Sequence, residues 1–225
     1  MENPNLSMTR DGSTEIQLPG RAVRIQTSQV ELLGRVLTQA FYNNAGVTYI
    51  FPDPEERRAV LPWFFTSVAI RAGRLCGEVF TTPNVDGGAL WIRPGVDLTI
   101  GHAVRTEMLS LPSGLARSSI VRWKNLIGYL ETARRKLAHT LHWYLLALGT
   151  GPSKTSIRAA LMDPVLVEAD WDLQPCYVET FDEKDLLFYG QRGFRITGAG
   201  QIPKGGPNFW TLIRPPRPAL SGPEL

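Results

Sequence analysis

The segment from Gln174 to Phe194 constrains the fold of this chain more than any other part of its sequence. Residues 176–178 form a short apolar, partly β-branched run, which is typical of a buried strand. A polar stretch follows, in which Asp182 or Asp185 is expected to cap a helix and Gly193 to end it. A strand, a polar turn and a short helix therefore follow one another directly, which favours a mixed α/β fold.

Hydrophobic spacing and turn residues predict the remaining elements in the same way. Residues 1–20 are predicted to be a polar, flexible tail, and Ser28 is predicted to cap a helix. A second helix is expected from Pro54 to Arg74, and a glycine turn at 149–151. The other predicted helices cover 115–139 and 156–170, and the predicted strands cover 21–27, 78–82, 89–92, 141–148, 194–202 and 209–214. This order predicts one α/β domain over 21–214, with a mixed central sheet flanked by helices and a Pro-rich tail at 215–225.

Composition narrows the class of protein. A chain of 225 residues with 43% hydrophobic residues can build a sizeable core. The net charge is +3 and the arginines are scattered among acids, which gives no support to nucleic-acid binding. The N-terminus has no apolar signal segment, and no apolar run is long enough to cross a bilayer. Cys76 and Cys176 are expected to be buried thiols rather than a disulfide or metal pair. The sequence thus predicts a soluble, cytoplasmic protein with no membrane partner.

Three motifs in order carry a family resemblance. They are GEVFTTPNVDGGALWIRPG at 77–95, HWYL at 142–145 and FYGQRGF at 188–194. Their order and spacing resemble the GNAT superfamily of acyl-CoA-dependent N-acetyltransferases, most closely its puromycin N-acetyltransferase-like members, over Arg21 to Arg214. The resemblance implies the GNAT fold, acetyl-CoA as the cofactor and a small, partly apolar amine as the substrate.

The resemblance also implies roles for individual residues. Tyr189 matches the tyrosine that is often the general acid protonating the thiolate of coenzyme A. The central strand and the turn after it flank the cofactor, which assigns cofactor contacts to Leu146, Leu148, Gly149, Lys154, Ser156, Arg158 and Asp185. Aromatic residues are expected to line the acceptor-substrate pocket, or alternatively only to pack the core: Trp63, Phe64, Trp91 and Tyr144.

Two departures from the family pattern leave alternatives open. Ser156 and Arg158 stand where the family's pyrophosphate loop has glycines, and side chains there would project into the phosphate site. Asp185 stands where the family usually has asparagine, and a carboxylate would repel the phosphates. One alternative is therefore a GNAT-fold enzyme that no longer uses acetyl-CoA and catalyses a cyclisation, elimination or isomerisation of an apolar molecule in the vacated tunnel. A further alternative is a non-catalytic, ligand-binding relative.

The general base has two candidates, because the central strand carries no carboxylate. His142 titrates near neutrality and begins that strand. Glu179 ends the next strand and would serve as a base if desolvation raised its pKa. The sequence contains no nucleophile elbow, no H-E-x-x-H motif and no phosphate loop of the G-x-x-x-x-G-K-[ST] type, so no competing chemistry and no metal are predicted.

Overall fold

A computed structural model of the chain describes residues 6–8, 14–16, 20–96, 115–151 and 155–217. Within them lies a seven-stranded sheet of order β3-β4-β5-β6-β7-β9-β8, and a separate pair of strands, β1 and β2. The strands are β1 Leu6–Met8, β2 Thr14–Ile16, β3 Val23–Arg24, β4 Gly77–Thr81, β5 Gly87–Ile92, β6 Trp143–Thr150, β7 Cys176–Thr180, β8 Arg195–Gln201 and β9 Asn208–Arg214. All neighbours pair antiparallel except β6 and β7, which are parallel. The predicted mixed sheet is confirmed.

Helices cover both faces of this sheet. They are α1 Val30–Phe41, α2 Ala45–Ile50, α3 Pro54–Trp63, α4 Arg71–Cys76, α5 Arg117–Leu137, α6 Thr155–Trp171 and α7 Asp185–Gln191. One face packs against α6 and α7 through a core that includes Trp143, Leu161 and Tyr189. The other face packs against α1 and α3, with Leu37 and Leu61 fully buried. In α1, the apolar residues recur at helical spacing, which turns that face toward the sheet.

A π-helical segment, Phe64–Ile70, joins α3 to α4, so the predicted second helix is continuous but irregular. Pro62 lies just before this segment and has no N–H to donate to the preceding turn. The hydroxyl of Thr66 donates to the carbonyl oxygen of Pro62 at 2.7 Å. The irregularity turns Phe64 and Phe65 toward the interior of the α1 face, where they contribute to a cavity wall.

The parallel pair β6 and β7 separates after three residues. Trp143, Tyr144 and Leu145 pair with residues 176–178, and there the pairing ends although β6 continues to Thr150. A β-bulge interrupts the other side of β6, because Leu145 and Ala147 pair with successive residues of β5. A groove therefore opens between the two central strands, at a point where β6 is also irregular.

Several local predictions are wrong. The strand expected over 21–27 is only Val23–Arg24, and a 3₁₀ turn at Thr27–Gln29 precedes α1, whose N-cap is Gln29 rather than Ser28. No glycine turn interrupts β6, since Gly149 lies inside the strand and packs against α1. Residues 6–8 and 14–16, which fall within the predicted N-terminal tail, form the β1–β2 pair, and the tail itself stays a prediction.

Candidate active site

A cavity of about 190 Å³ occupies the groove between β6 and β7. Its walls are mostly apolar and come from β6, β7, the π-helical segment, α2 and α5. Glu179 belongs to the sheet face that carries α5, whereas Tyr189 belongs to the core on the α6 face, yet both line this cavity. The cavity therefore connects the two faces of the sheet through the gap between the strands.

Glu179 is the central polar group of this cavity. Its Oε2 accepts a hydrogen bond from the Tyr144 hydroxyl at 2.9 Å, and its Oε1 accepts one from the Tyr177 hydroxyl at 2.9 Å. Tyr144 and Tyr177 are register partners on β6 and β7, so both rings share the face of Glu179. Burial raises the pKa of the Glu179 carboxyl to about 7, against the smaller opposing effects of the two hydroxyls and of Arg134.

The two tyrosines are donors rather than acids. Burial raises the pKa of each phenol above its ordinary value, and the nearby charge of Glu179 raises it further. Both hydroxyls therefore stay protonated at neutral pH and hold the carboxyl of Glu179 in one orientation.

His142, the other predicted base, lies outside this cavity. Its Nδ1 is 2.7 Å from the carbonyl oxygen of Thr140, and its ring stacks obliquely on Tyr177 at 5.5 Å between centroids. Burial lowers the pKa of His142, and the positive charge of Arg134 lowers it further. The imidazole is thus neutral at pH 7 and borders a second cavity beside the first.

Tyr189 lies on α7 with only 4% of its surface exposed. Its ring packs against Phe188 and Phe194, with centroids at 5.3 and 5.6 Å. Burial raises the pKa of the hydroxyl, Asp185 raises it further, and Arg158 opposes this by charge and hydrogen bonding. The hydroxyl is therefore protonated at neutral pH, as a general acid must be.

Arg158 and Asp185, two of the residues that depart from the family pattern, contact each other. Arg158 Nη1, on the first turn of α6, lies 2.8 Å from Asp185 Oδ1, on the first residue of α7. Thr180 donates to the other carboxylate oxygen at 3.2 Å, and the guanidinium of Arg158 lies 4.3 Å from the centroid of the Phe188 ring. The Nε of Arg158 is buried without a partner. An internal ion pair thus joins the starts of α6 and α7.

The structure brings together about half of the residues predicted for the site. Those that line the cavity are Phe64, Tyr144, Leu146, Leu148, Glu179, Asp185 and Tyr189. Trp63 packs in the core beneath α1, Trp91 is fully buried against α6, Gly149 faces α1, and Ser156 is exposed. Lys154 lies outside the described residues. Within the described ranges, no group of His, Cys, Asp and Glu is arranged to hold a metal ion, and no helix is long and apolar enough to span a membrane.

Sequence reasoning missed Tyr177 and Arg134. Tyr177 carries a detectable signal, because residues two apart on a strand share a face and Glu179 follows it at that spacing. Arg134, whose guanidinium lies 4.8 Å from the centroid of the Tyr144 ring, comes from α5, and no local pattern connects α5 to β6.

No protein-family model matches the chain. Among solved structures, a histone acetyltransferase HPA2-related acetyltransferase from Corynebacterium glutamicum superimposes with a TM-score of 0.65 at 18% identity, covering 90% of this chain and 99% of that one. A Drosophila melanogaster polyamine N-acetyltransferase, which forms N-acetylagmatine, superimposes with a TM-score of 0.56 at 14% identity, covering 86% and 98%. The C-terminal condensation domain of Ebony, solved with beta-alanyl-dopamine, superimposes with a TM-score of 0.50 at 13% identity, covering 87% and 98%.

These similarities establish the fold. The chain has the GNAT fold of the N-acetyltransferases in a single domain, as the sequence motifs predict.

Proposed function

We propose that this chain is an N-acetyltransferase-like enzyme that acts on a small, largely apolar amine. Glu179 is its general base and Tyr189 its general acid. The observation that carries the proposal is the position of Glu179, whose carboxyl has a pKa of about 7 and lies in the cavity that leads to Tyr189. A base with that pKa is partly ionised at neutral pH and is strong enough to take a proton from an acceptor.

The proton transfers follow from the contacts of these side chains. Glu179 takes a proton from the ammonium group of the acceptor, which leaves a neutral, nucleophilic amine. The hydroxyls of Tyr144 and Tyr177 hold the carboxylate in place while it does so. Tyr189 keeps its phenolic proton at neutral pH. It would donate this proton to the thiolate that leaves as the amine nitrogen bonds to the acetyl carbon and the carbon–sulfur bond breaks. The second proton of the amine would pass to solvent, from which Tyr189 would be reprotonated.

The walls of the cavity favour an aromatic amine. Phe64, Phe65 and Trp123 line it, and Asp185 is already paired with Arg158. A second cationic group, such as the guanidinium of agmatine, would find no free carboxylate among the described lining residues other than Glu179 itself. Beta-alanyl-dopamine, the ligand bound to one of the fold neighbours, is an amide of an arylalkylamine. This ligand supports an aromatic amine as the substrate.

Acetyl-CoA would supply the activated acetyl group. Leu146 and Leu148 line the groove that a pantetheine arm would enter, and Ser156 lies on the first turn of α6 beside the predicted phosphate site. Arg158 would pair with a phosphate of this cofactor only if it left Asp185, because its guanidinium is already in an ion pair with that carboxylate.

That ion pair favours a second candidate function. In it the chain has lost acetyl-CoA, and Glu179 and Tyr189 perform a proton-transfer reaction, such as an isomerisation, elimination or cyclisation, on an apolar molecule in the cavity. A guanidinium that is already paired with an internal carboxylate is not available to a phosphate.

Calorimetric titration with acetyl-CoA distinguishes the two candidates. The first candidate function predicts that the wild type binds acetyl-CoA at millimolar concentration or below. In a separate thiol-release assay, it predicts that free thiol is released faster with 2-phenylethylamine than with agmatine. The second predicts no binding by the wild type, and gain of binding in the double variant Arg158→Gly/Asp185→Asn. Arg192→Gln is the matched control, since it breaks the more exposed Arg192–Asp163 pair near the same helices. No binding by either protein contradicts the use of acetyl-CoA and leaves the ion pair irrelevant to it.

A further inference from the structure

A second cavity, of about 220 Å³, lies where β5 ends and β6 begins. It shares only Tyr144 with the cavity of Glu179. Its walls are partly apolar, with Ile92 and Leu141, and its basic groups are Arg93, Arg134 and His142.

Among the two arginines of this cavity, Arg134 is the one whose charge is not neutralised by an ion pair within the described residues. Its guanidinium lies over the Tyr144 ring, and within the described residues no carboxylate is in ion-pair contact with it. Neighbouring arginines differ in this respect, because Arg135 pairs with Glu131 and Arg93 pairs with Glu78. A guanidinium that stacks through its face keeps its N–H donors free along its edge.

His142 adds a second polar group. Its Nδ1 is engaged by the Thr140 carbonyl oxygen, which leaves Nε2 for a ligand. The imidazole is neutral when the cavity holds only solvent, since burial and Arg134 lower its pKa. An anion bound between the two side chains would favour the protonated imidazole, which donates through Nε2.

We propose that this cavity binds the carboxylate of a small, partly apolar ligand, with Arg134 as the bidentate partner and His142 as a second donor. A single guanidinium edge matches the two oxygens of one carboxylate, and the apolar walls match a hydrocarbon or aromatic body. The Tyr144 ring supports Arg134 on one side, and its hydroxyl holds Glu179 on the other. A ligand at Arg134 is therefore one side chain away from the proposed base, and the proposal holds whichever reaction that base performs.

Titration calorimetry with benzoate and its neutral isostere benzamide tests the site. Wild-type protein is expected to bind benzoate at least about tenfold more tightly than benzamide, because only the anion forms charge-assisted hydrogen bonds. Arg134→Gln is expected to remove that preference, whereas Arg135→Gln, one position away on α5, is expected to keep it. Equal binding of the two probes, no benzoate binding, or an equal loss in Arg135→Gln overturns the proposal.

A measurement on the wild type covers the case in which Arg134→Gln does not fold. The chain has three histidines, so the imidazole Hε1 signals are few and can be assigned by the loss of one signal in His142→Gln. Benzoate is expected to shift the His142 signal and raise its titration midpoint, and benzamide is expected to do neither. A His142 signal that responds equally to both compounds contradicts the carboxylate site.

Discussion

Glu179 and Asp185 line the same cavity and lie close in sequence, yet their surroundings differ. Glu179 accepts hydrogen bonds from two neutral tyrosines and has no cation in contact. Asp185 is held by the guanidinium of Arg158 and by the hydroxyl of Thr180. Burial raises the pKa of Glu179 to about 7, whereas Asp185 has a guanidinium in direct contact. The two carboxylates therefore differ in the kind of partner that holds them: neutral hydroxyls for Glu179 and a cation for Asp185.

The largest expected effect is on activity, and it concerns Glu179. Glu179→Gln removes the proposed base and is expected to lower kcat/KM for the best acceptor amine by about 10² to 10⁴-fold. Glu183→Gln, an exposed acid between Glu179 and Asp185 in sequence, is expected to leave kcat/KM unchanged. Wild-type kcat/KM should rise with pH around a midpoint near 7, since the base must be ionised. An unchanged kcat/KM in Glu179→Gln would show that Glu179 is not the base.

The second effect appears in stability. The pKa of Glu179 is raised from an ordinary 4.5 to about 7, so the folded protein holds this proton more tightly than the unfolded chain. The stabilising contribution is complete below about pH 4.5 and is lost as pH rises through 7. The free energy of unfolding of wild type minus that of Glu179→Gln should therefore fall by about 2 to 3 kcal/mol between pH 4 and pH 8. Urea titrations at both pH values measure it, and a constant difference would contradict the raised pKa.

The smallest effect concerns the ion pair itself. A double-mutant cycle with Arg158→Met and Asp185→Asn is expected to give a coupling energy of about 1 to 2 kcal/mol in urea unfolding, because the pair is largely buried. The corresponding cycle on Arg192 and Asp163 is expected to give less than about 1 kcal/mol, since the Asp163 side chain is 56% exposed. Equal couplings for the two pairs would show that the deeper burial of the Arg158–Asp185 pair does not strengthen it.

Much of the fold is predictable because its signals are local. Strand β7, helix α7 and the hairpin of β4 and β5 follow from apolar runs, turn residues and a terminating glycine that lie within a few residues of each other. The errors fall where a distant contact overrides the local signal. Gly149 is a turn residue by type, but β6 continues through it because it stays paired with Gly88 of β5, and α1 packs closely on that position.

The candidate site likewise has some features that local sequence predicts and others that depend on tertiary packing. Glu179 and Tyr189 are identifiable from the sequence because each ends or occupies an element whose type and boundaries are local. Their separate positions on the two sheet faces, and the cavity that joins them, depend on where β6 and β7 stop pairing. The point at which β6 and β7 stop pairing depends on the packing of whole strands, and no sequence pattern within β6 or β7 predicts it.

The sequence by itself predicted the order of the main elements from α1 to β9 without the short helix α2, the GNAT fold, and the candidate acid and bases. Only the tertiary structure decided the electrostatics. Arg158 and Asp185, each of which departs from the family pattern at the predicted phosphate site, form an ion pair because the starts of α6 and α7 meet in space. Glu179 has a pKa of about 7 because burial disfavours its charged form more than the hydrogen bonds of Tyr177 and Tyr144 favour it. Charge interactions depend on distance and burial, and neither quantity is written in the order of residues along a chain.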